Sequence, residues 1–448
     1  MKVLHVPFGY YPDPVGGTEV YVGALAQWQA RNGLQVGIAA PARENRTYQH
    51  EGLPVYRFRI SNSVDIRDLY GDGDPEAAEA FDEILKQTSA DIVHVHAFTS
   101  GVSLRLVERA RRRSAAVVFT YHTPTVSCDR GSLQLWGSDT CDGVMDVRRC
   151  AGCTLHGKGI SKPASWLAGS LPPAVGERLG RMGLSGGAWT ALRMSELTQA
   201  RHSAVRALFH ESVEVIAVCE WVRELLLRNG VPPEKITVCR QGLAYPMAAA
   251  KKGGQPCAGS PLRLVFFGRL DTLKGLRTVW EALRLLPGLH VMLDIFTVIQ
   301  DAAMQNEASL LAMLRADSRI RIFPAVAPAD VVARLAEYDA VVVPSQGLET
   351  GPLVVYEAFG AAVPVIGSNL GGIAELVRHE ENGLLVEAAS RQAWAGAIRR
   401  LVEDRTLLPK LRQGIGPVRT MRDVAAEMQP VYERAIQSEG ATSVAGKN

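Results

Sequence analysis

Glu349 and Glu357 bracket the run Pro344-Ser345-Gln346-Gly347-Leu348-Glu349-Thr350-Gly351-Pro352-Leu353-Val354-Val355-Tyr356-Glu357-Ala358, which leaves an apolar strand and enters a helix. Backbone N–H groups at that helix start, near Gly351–Leu353, have no acceptor within the helix and can bind an anion, and glycine lets the ligand come close. A phosphate or a sugar hydroxyl suits such a turn. Glu357, further along the same helix, can accept hydrogen bonds from a ribose diol, while Glu349 sits in the loop ahead. The competing reading is a helix start decorated with acids because they favour its dipole.

A second cluster is Cys128, Cys141, Cys150 and Cys153, spaced Cys-x12-Cys-x8-Cys-x2-Cys. Four clustered thiols suggest tetrahedral thiolate ligation, and the closing Cys-x2-Cys is the usual knuckle of a zinc site. A structural Zn²⁺ is the first reading, with an iron–sulfur cluster, a redox pair or free thiols as alternatives. Cys219, Cys239 and Cys257 are scattered and read as core or linker residues.

These groups need a scaffold, and 448 residues are enough for two α/β domains of roughly 200 residues each. A hydrophobic share of 47% and a charged share of 21% exclude global disorder. Val3–Pro7, Gln35–Ala40, Ile92–His96, Val117–Tyr121 and Val215–Cys219 read as buried strands with helical patterns between them, the rhythm of parallel βαβ units. After a loose linker at Met247–Pro261 the rhythm restarts with Leu262–Phe267, His290–Phe296, Ile320–Phe323, Ala340–Val343 and Val363–Ile366. A last helix is expected over about Val424–Glu439, with a crossover back to the first domain left open. The domains expected are therefore 1–246, with a cysteine-rich insertion at about 127–159, then 262–423, then the C-terminal helix.

With these residues in place the chain resembles retaining glycosyltransferase family 4, of the GT-B fold: two Rossmann-like, doubly wound domains facing an interdomain cleft. The Glu-x7-Glu segment carries the resemblance, and other family features follow in order over nearly the whole chain. Phe267-Gly268-Arg269-Leu270 with Lys274-Gly275 is similar to the family turn whose Arg and Lys hold the donor diphosphate, where two cations stabilise a departing nucleotide. Tyr10-Tyr11-Pro12 with Gly16-Gly17-Thr18-Glu19 resembles the family's Gly-Gly loop, whose N–H groups approach the same diphosphate. Tyr121-His122-Thr123 falls where the family places a histidine beside the sugar. Gly371-Gly372-Ile373-Ala374-Glu375 and Asn382-Gly383-Leu384-Leu385-Val386 match the family's closing turns and read as packing elements.

The resemblance implies donor contacts from Gly16, Gly17, Arg269, Lys274, Glu349, Thr350, Gly351, Pro352, Leu353 and Glu357, with His122, Arg269, Lys274 and Glu349 nearest the chemistry. It implies a nucleoside-diphosphate sugar as donor, no metal for the reaction, and a glycan or lipid-linked acceptor in exopolysaccharide, capsule or lipopolysaccharide assembly. Many members carry glycine after the strands that here end at Phe296 and Phe323, where this chain has Thr297 and Pro324-Ala325, so UDP and GDP both stay open. The triplet Asp72-Gly73-Asp74 invites a divalent-ion reading, which its polar turn far from the other motifs argues against. A nucleotide-sugar epimerase of the same architecture and a noncatalytic binding module are the rivals.

Residues 100–210 carry 15 Lys and Arg against 7 Asp and Glu, a local excess of 15 − 7 = +8. That stretch includes Trp166, Leu167, Met182 and Trp189. It fits either a surface that docks on anionic lipid or a set of solvated helices covering the acceptor side. No basic n-region precedes the first strand and no apolar run approaches a membrane span, so the expectation is a cytoplasmic protein with reduced cysteines, without nucleic-acid partners.

Overall fold

Runs such as Ala116–Tyr121 and Ala340–Val343 are apolar on both faces, which suits strands covered by helices on both sides. In the computed structural model, which describes residues 1–13, 16–184, 186–245, 259–298 and 305–445, such runs build two separate, largely parallel sheets. The chain divides into two compact units, Met1–Arg240 with Met421–Asn448, and Gln241–Thr420.

The first unit holds β1 (Lys2–Val6), β2 (Gln35–Ala42), β3 (Arg46–His50), β4 (Leu53–Arg59), β5 (Ile92–Val95), β6 (Ala116–Tyr121), the short pair β7 (Gln134–Leu135) and β8 (Asp139–Thr140), then β9 (Glu214–Ala217) and β10 (Ile236–Val238). Its main sheet runs β10-β9-β6-β5-β1-β2-β4-β3, parallel except for β3 against β4. Because β1 lies between β2 and β5, successive connections leave it in opposite directions, and the loops beyond β1 and β5 open at a topological switch point.

Helix Met421–Ala445 belongs to this unit. It buries Met421, Val424, Met428, Val431, Tyr432 and Ala435, one face at helical spacing, against helix Gly17–Arg31 and strands β5 and β6.

The second unit contains β11 (Leu262–Phe267), β12 (Val291–Thr297), β13 (Ile320–Pro324), β14 (Ala340–Val343), β15 (Val365–Ser368) and β16 (Gly383–Val386), all parallel, in the order β13-β12-β11-β14-β15-β16. One face packs Leu264, Leu293 and Val342 against Trp394 and Ile398, and the other packs Val265 and Val341 against Val355 and Ala358. The direction reverses between β11 and β14.

Three strand regions differ from the sequence reading. Arg46–Arg59 forms a hairpin turning at Glu51-Gly52, and Gly383–Val386 is an edge strand beside β15 where closing turns were expected. Ile236–Val238 extends the first sheet at its other edge. β3, β10 and β16 are edge strands, too short or too polar to show the buried-strand pattern, and β4, inside the sheet, alternates buried and half-buried residues over most of its length. Most of the expected linker lies outside the described residues, as does Cys257.

Candidate functional site

The loops that follow β11 and β14 meet at the switch point of the second sheet. After β11, Asp271 caps the short turn Thr272–Lys274 by accepting the Lys274 N–H at 3.0 Å, and Arg269 reaches back to Asp271 at 3.2 Å. After β14, Ser345 donates to Glu349 Oε1 at 2.7 Å, and the same oxygen pairs with Lys274 Nζ at 2.6 Å. The Gln346 N–H donates to the Leu273 carbonyl at 2.7 Å, which ties the two loops together through their backbones. Gly275 makes this possible: at φ +68° it is left-handed, and a Cβ there would stand 1.8 Å from the Pro344 carbonyl oxygen.

Beyond Glu349, Gly351 at φ +126° turns the chain into helix Leu353–Gly360, which starts after Pro352 with no side-chain cap among the described residues. The Val355 N–H donates to the Pro352 carbonyl at 3.0 Å, and the N–H groups ahead of it can meet an anion, with Lys274 and Arg269 on the neighbouring loop. The Gly372 N–H donates to the Glu349 carbonyl at 2.6 Å, so the expected closing turn braces the loop from behind. Glu357 stands on this helix, partly exposed, and its burial pushes the carboxyl up to about 7. A carboxylate kept short of hydrogen-bond donors in this way gains when a diol supplies them.

Thr297 closes β12 fully buried, and Phe267, Phe296 and Phe323 stack in series at the ends of β11, β12 and β13, with centroids 4.6 and 5.1 Å apart. Aromatic rings thus occupy the region where glycine was noted as missing.

In the first unit, Gly16 caps helix Gly17–Arg31, and its N–H already donates to Glu19 Oε2 at 2.8 Å. An anion at this turn would meet the N–H groups of Gly17 and Thr18 instead. His122 follows β6, buried, with the Tyr21 ring edge-on at 4.7 Å and its Nε2 3.0 Å from His96 Nδ1. His96 pairs in turn with His5 at 2.9 Å. Sequence reading missed His5, His94 and His96; the available signal was a titratable residue inside an otherwise apolar parallel strand, which needs a partner.

Cys128, Cys141, Cys150 and Cys153 line one pocket, beside hairpin β7–β8 and helix Val147–Gly157. Burial pushes the Cys150 thiol up to about 12 and raises Cys141, so without a cation these two stay neutral thiols. The Trp136 N–H and Arg130 Nη1 point at Cys153 Sγ, at 3.3 and 3.6 Å. The donor set fits a thiolate metal, yet among the described residues the three-ligand grouping within 4.8 Å is made by histidines, so these sulfurs would have to draw together around an ion with Zn–S bonds of about 2.3 Å. Cys219 and Cys239 are buried in the core. Asp74 of the acidic triplet is buried and caps helix Pro75–Thr88, accepting from Ser61 and the Glu76 N–H, which accounts for it structurally.

Comparison with known proteins gives the family and the fold. Residues 16–242 match the family described as Glycosyl transferase 4-like domain, and residues 251–416 match Glycosyl transferases group 1. A D-inositol 3-phosphate glycosyltransferase of Kineococcus radiotolerans is 29% identical over 95% of this chain and 92% of its own length. A protein of the same description from Corynebacterium glutamicum is 27% identical over 51% of this chain, which spans 59% of that relative. Among solved structures, sucrose-phosphate synthase from Thermosynechococcus elongatus superposes with a TM-score of 0.67 at 17% identity, covering 98% of this chain and all of the other. Anabaena HepE in complex with UDP and glucose gives 0.61 at 16% identity, covering 97% of this chain and all of the other. With the two family matches following one another along the chain and two Rossmann-like units beneath them, the protein belongs to the family 4 and group 1 glycosyltransferases and has the GT-B fold.

Proposed function

We propose that this chain is a retaining transferase that moves a hexose from a nucleoside-diphosphate sugar to a glycan or lipid-linked acceptor in cell-surface polysaccharide assembly. The observation that carries the reading is the junction of the β11 and β14 loops, where Lys274 Nζ and Glu349 Oε1 stand 2.6 Å apart beside the start of helix Leu353–Gly360. Arg269, Lys274 and the N–H groups of Gly351 and Leu353 bind the diphosphate, Glu357 the ribose, and Glu349 and Thr350 the sugar, while the Gly16-Gly17 turn of the first unit offers its Gly17 N–H to an anion. His122 meets a sugar hydroxyl. These groups position the reactants and neutralise the leaving nucleotide rather than forming bonds to the sugar.

UDP and glucose in the structure of HepE favour a uridine donor. The near full-length match to an inositol-phosphate glycosyltransferase favours, as a second reading, a phosphorylated polyol as acceptor. Incubation with UDP- and GDP-hexoses and each acceptor class, with the product anomer read by proton NMR, tests the proposal. Retained anomeric configuration supports it. Inversion, or conversion of the sugar nucleotide without acceptor, refutes it.

The same proposal includes a structural Zn²⁺ held by Cys128, Cys141, Cys150 and Cys153, which would tie hairpin β7–β8 to helix Val147–Gly157. It also includes a peripheral stay on anionic lipid at the inner face of the cytoplasmic membrane. Trp166, Leu167 and Met182 are 56%, 67% and 71% exposed beside Lys162, Arg178 and Arg181, a combination suited to an interface. No helix among the described residues is long and apolar enough to cross a membrane.

A further inference from the structure

Four histidines sit on three adjacent strands of the first unit: His5 in β1, His94 in β5, His96 just beyond it, and His122 just beyond β6. Burial keeps them neutral, lowering His5 to about 4 and His122 to about 3, with His94 and His96 well below their ordinary value. A neutral imidazole has one N–H donor and one lone-pair acceptor, so its partners must alternate.

The alternation can be followed atom by atom. Gln29 Oε1 lies 2.8 Å from His5 Nε2 and has no hydrogen, so His5 donates there. His5 Nδ1 must then accept, and its partner at 2.9 Å is His96 Nε2, which donates. His96 Nδ1 must accept in its turn, from His122 Nε2 at 3.0 Å. The other side of Gln29 is consistent: its Nε2 donates to Tyr432 Oη at 3.1 Å, the Tyr432 hydroxyl donates to His94 Nδ1 at 2.7 Å, and His94 Nε2 donates to Thr120 Oγ1 at 2.7 Å. The ligand atoms of His5, His94 and His96 lie within 4.8 Å of one another, a spacing that would suit a metal ion. All six of their ring nitrogens, however, are already hydrogen-bonded, which leaves no lone pair for one.

The sense of the whole chain depends on one amide. Turning Gln29 over would reverse each bond and move the His122 proton to Nδ1. Tyr432, from the C-terminal helix, accepts from Nε2 in the arrangement seen, and as a hydroxyl it would serve the reversed one equally, so the sense is set at Gln29 and not at Tyr432. We propose that Gln29 is a positioning residue for His122: as placed, its Oε1 fixes the His122 proton on Nε2 through His5 and His96 and so makes Nδ1 an acceptor for a hydroxyl of the donor sugar. The inference rests on the reading of His122 as a sugar-binding residue.

The test is the side-chain ¹⁵N spectrum of histidine-labelled protein, with His122 assigned by its loss in His122→Asn. Wild type should show His122 protonated at Nε2 throughout pH 6–8. Gln29→Leu should give a tautomer mixture and raise the donor KM about tenfold while changing kcat less, the loss of one well-aligned hydrogen bond. Gln29→Glu keeps an acceptor for His5 and should restore both the tautomer and most of KM. A wild-type proton on Nδ1 overturns the inference without any variant, and so do identical His122 tautomers in Gln29→Leu and Gln29→Glu. If the tautomers behave as expected but His122→Ala leaves the donor KM unchanged, the proton assignment stands and the sugar contact is refuted.

Discussion

Replacing Glu357 with glutamine should make the protein more stable at pH 8 and a poorer nucleotide binder, two effects of opposite sign from one carboxylate. Burial raises this group from 4.5 to about 7. The folded state therefore holds its proton more tightly than the unfolded chain, and stability falls as pH rises from about 4.5 through about 7, then levels off. A shift of 7 − 4.5 = 2.5 units corresponds to roughly 3 kcal/mol at 1.36 kcal/mol per unit. Glu357 is partly exposed, which lowers the expected gain from Glu357→Gln to about 1–3 kcal/mol at pH 8. For a unit the size of Gln241–Thr420, each kcal/mol moves Tm by about 2–4 °C. Below pH 4.5 both side chains are neutral and the difference should vanish. Nucleotide affinity should fall about 10–100-fold, since glutamine replaces one acceptor with an NH2 group and loses charge-assisted bonds to the diol. Calorimetric melts at pH 4.5, 6, 7 and 8, with titrations of UDP and GDP, read both effects. A variant less stable than wild type at pH 8, or one that binds nucleotide equally well, would refute the reasoning.

Lys274→Ala should lower kcat/KM about 10²–10³-fold, since it removes a cation placed for the leaving diphosphate, yet change stability by only about 0–1 kcal/mol because the pair with Glu349 is partly solvated. Lys274→Arg should recover part of the rate, and a large Tm loss with normal kcat/KM would mean the pair is structural. Metal analysis of protein purified without chelator should find about one zinc per chain, lost in Cys150→Ser with Cys153→Ser; absence of metal from wild type removes the zinc reading. Co-sedimentation with vesicles containing anionic lipid should fall about tenfold in Trp166→Ala with Leu167→Ala, and equal binding would remove the membrane face.

The two-sheet plan was readable because its central strands, such as Val117–Tyr121 and Val341–Val343, are apolar on both faces, a pattern few other structures require. Arg46–His50 gave no such signal: it pairs with β4 at an edge, where its polar side chains meet solvent. The β11 and β14 loops were legible as candidate chemistry, since Arg269 with Lys274-Gly275 in one and Glu349 with Gly351 in the other each resemble a family motif. Their junction was not, because it depends on the Gly275 backbone lying against Pro344, a contact between segments far apart along the chain. The histidine chain was least visible. Each histidine looks like a lone polar residue in a strand, and the groups they bond to include Gln29 and Tyr432, 403 residues apart. Only the fold brings the C-terminal helix against β5.

A crystal structure with the nucleoside diphosphate that binds most tightly in titration tests the central claim most directly. The diphosphate should lie on the N–H groups of Gly351 and Leu353, within reach of Lys274 and Arg269, with both ribose hydroxyls on Glu357. A nucleotide bound elsewhere, or one whose ribose turns away from Glu357, would contradict it.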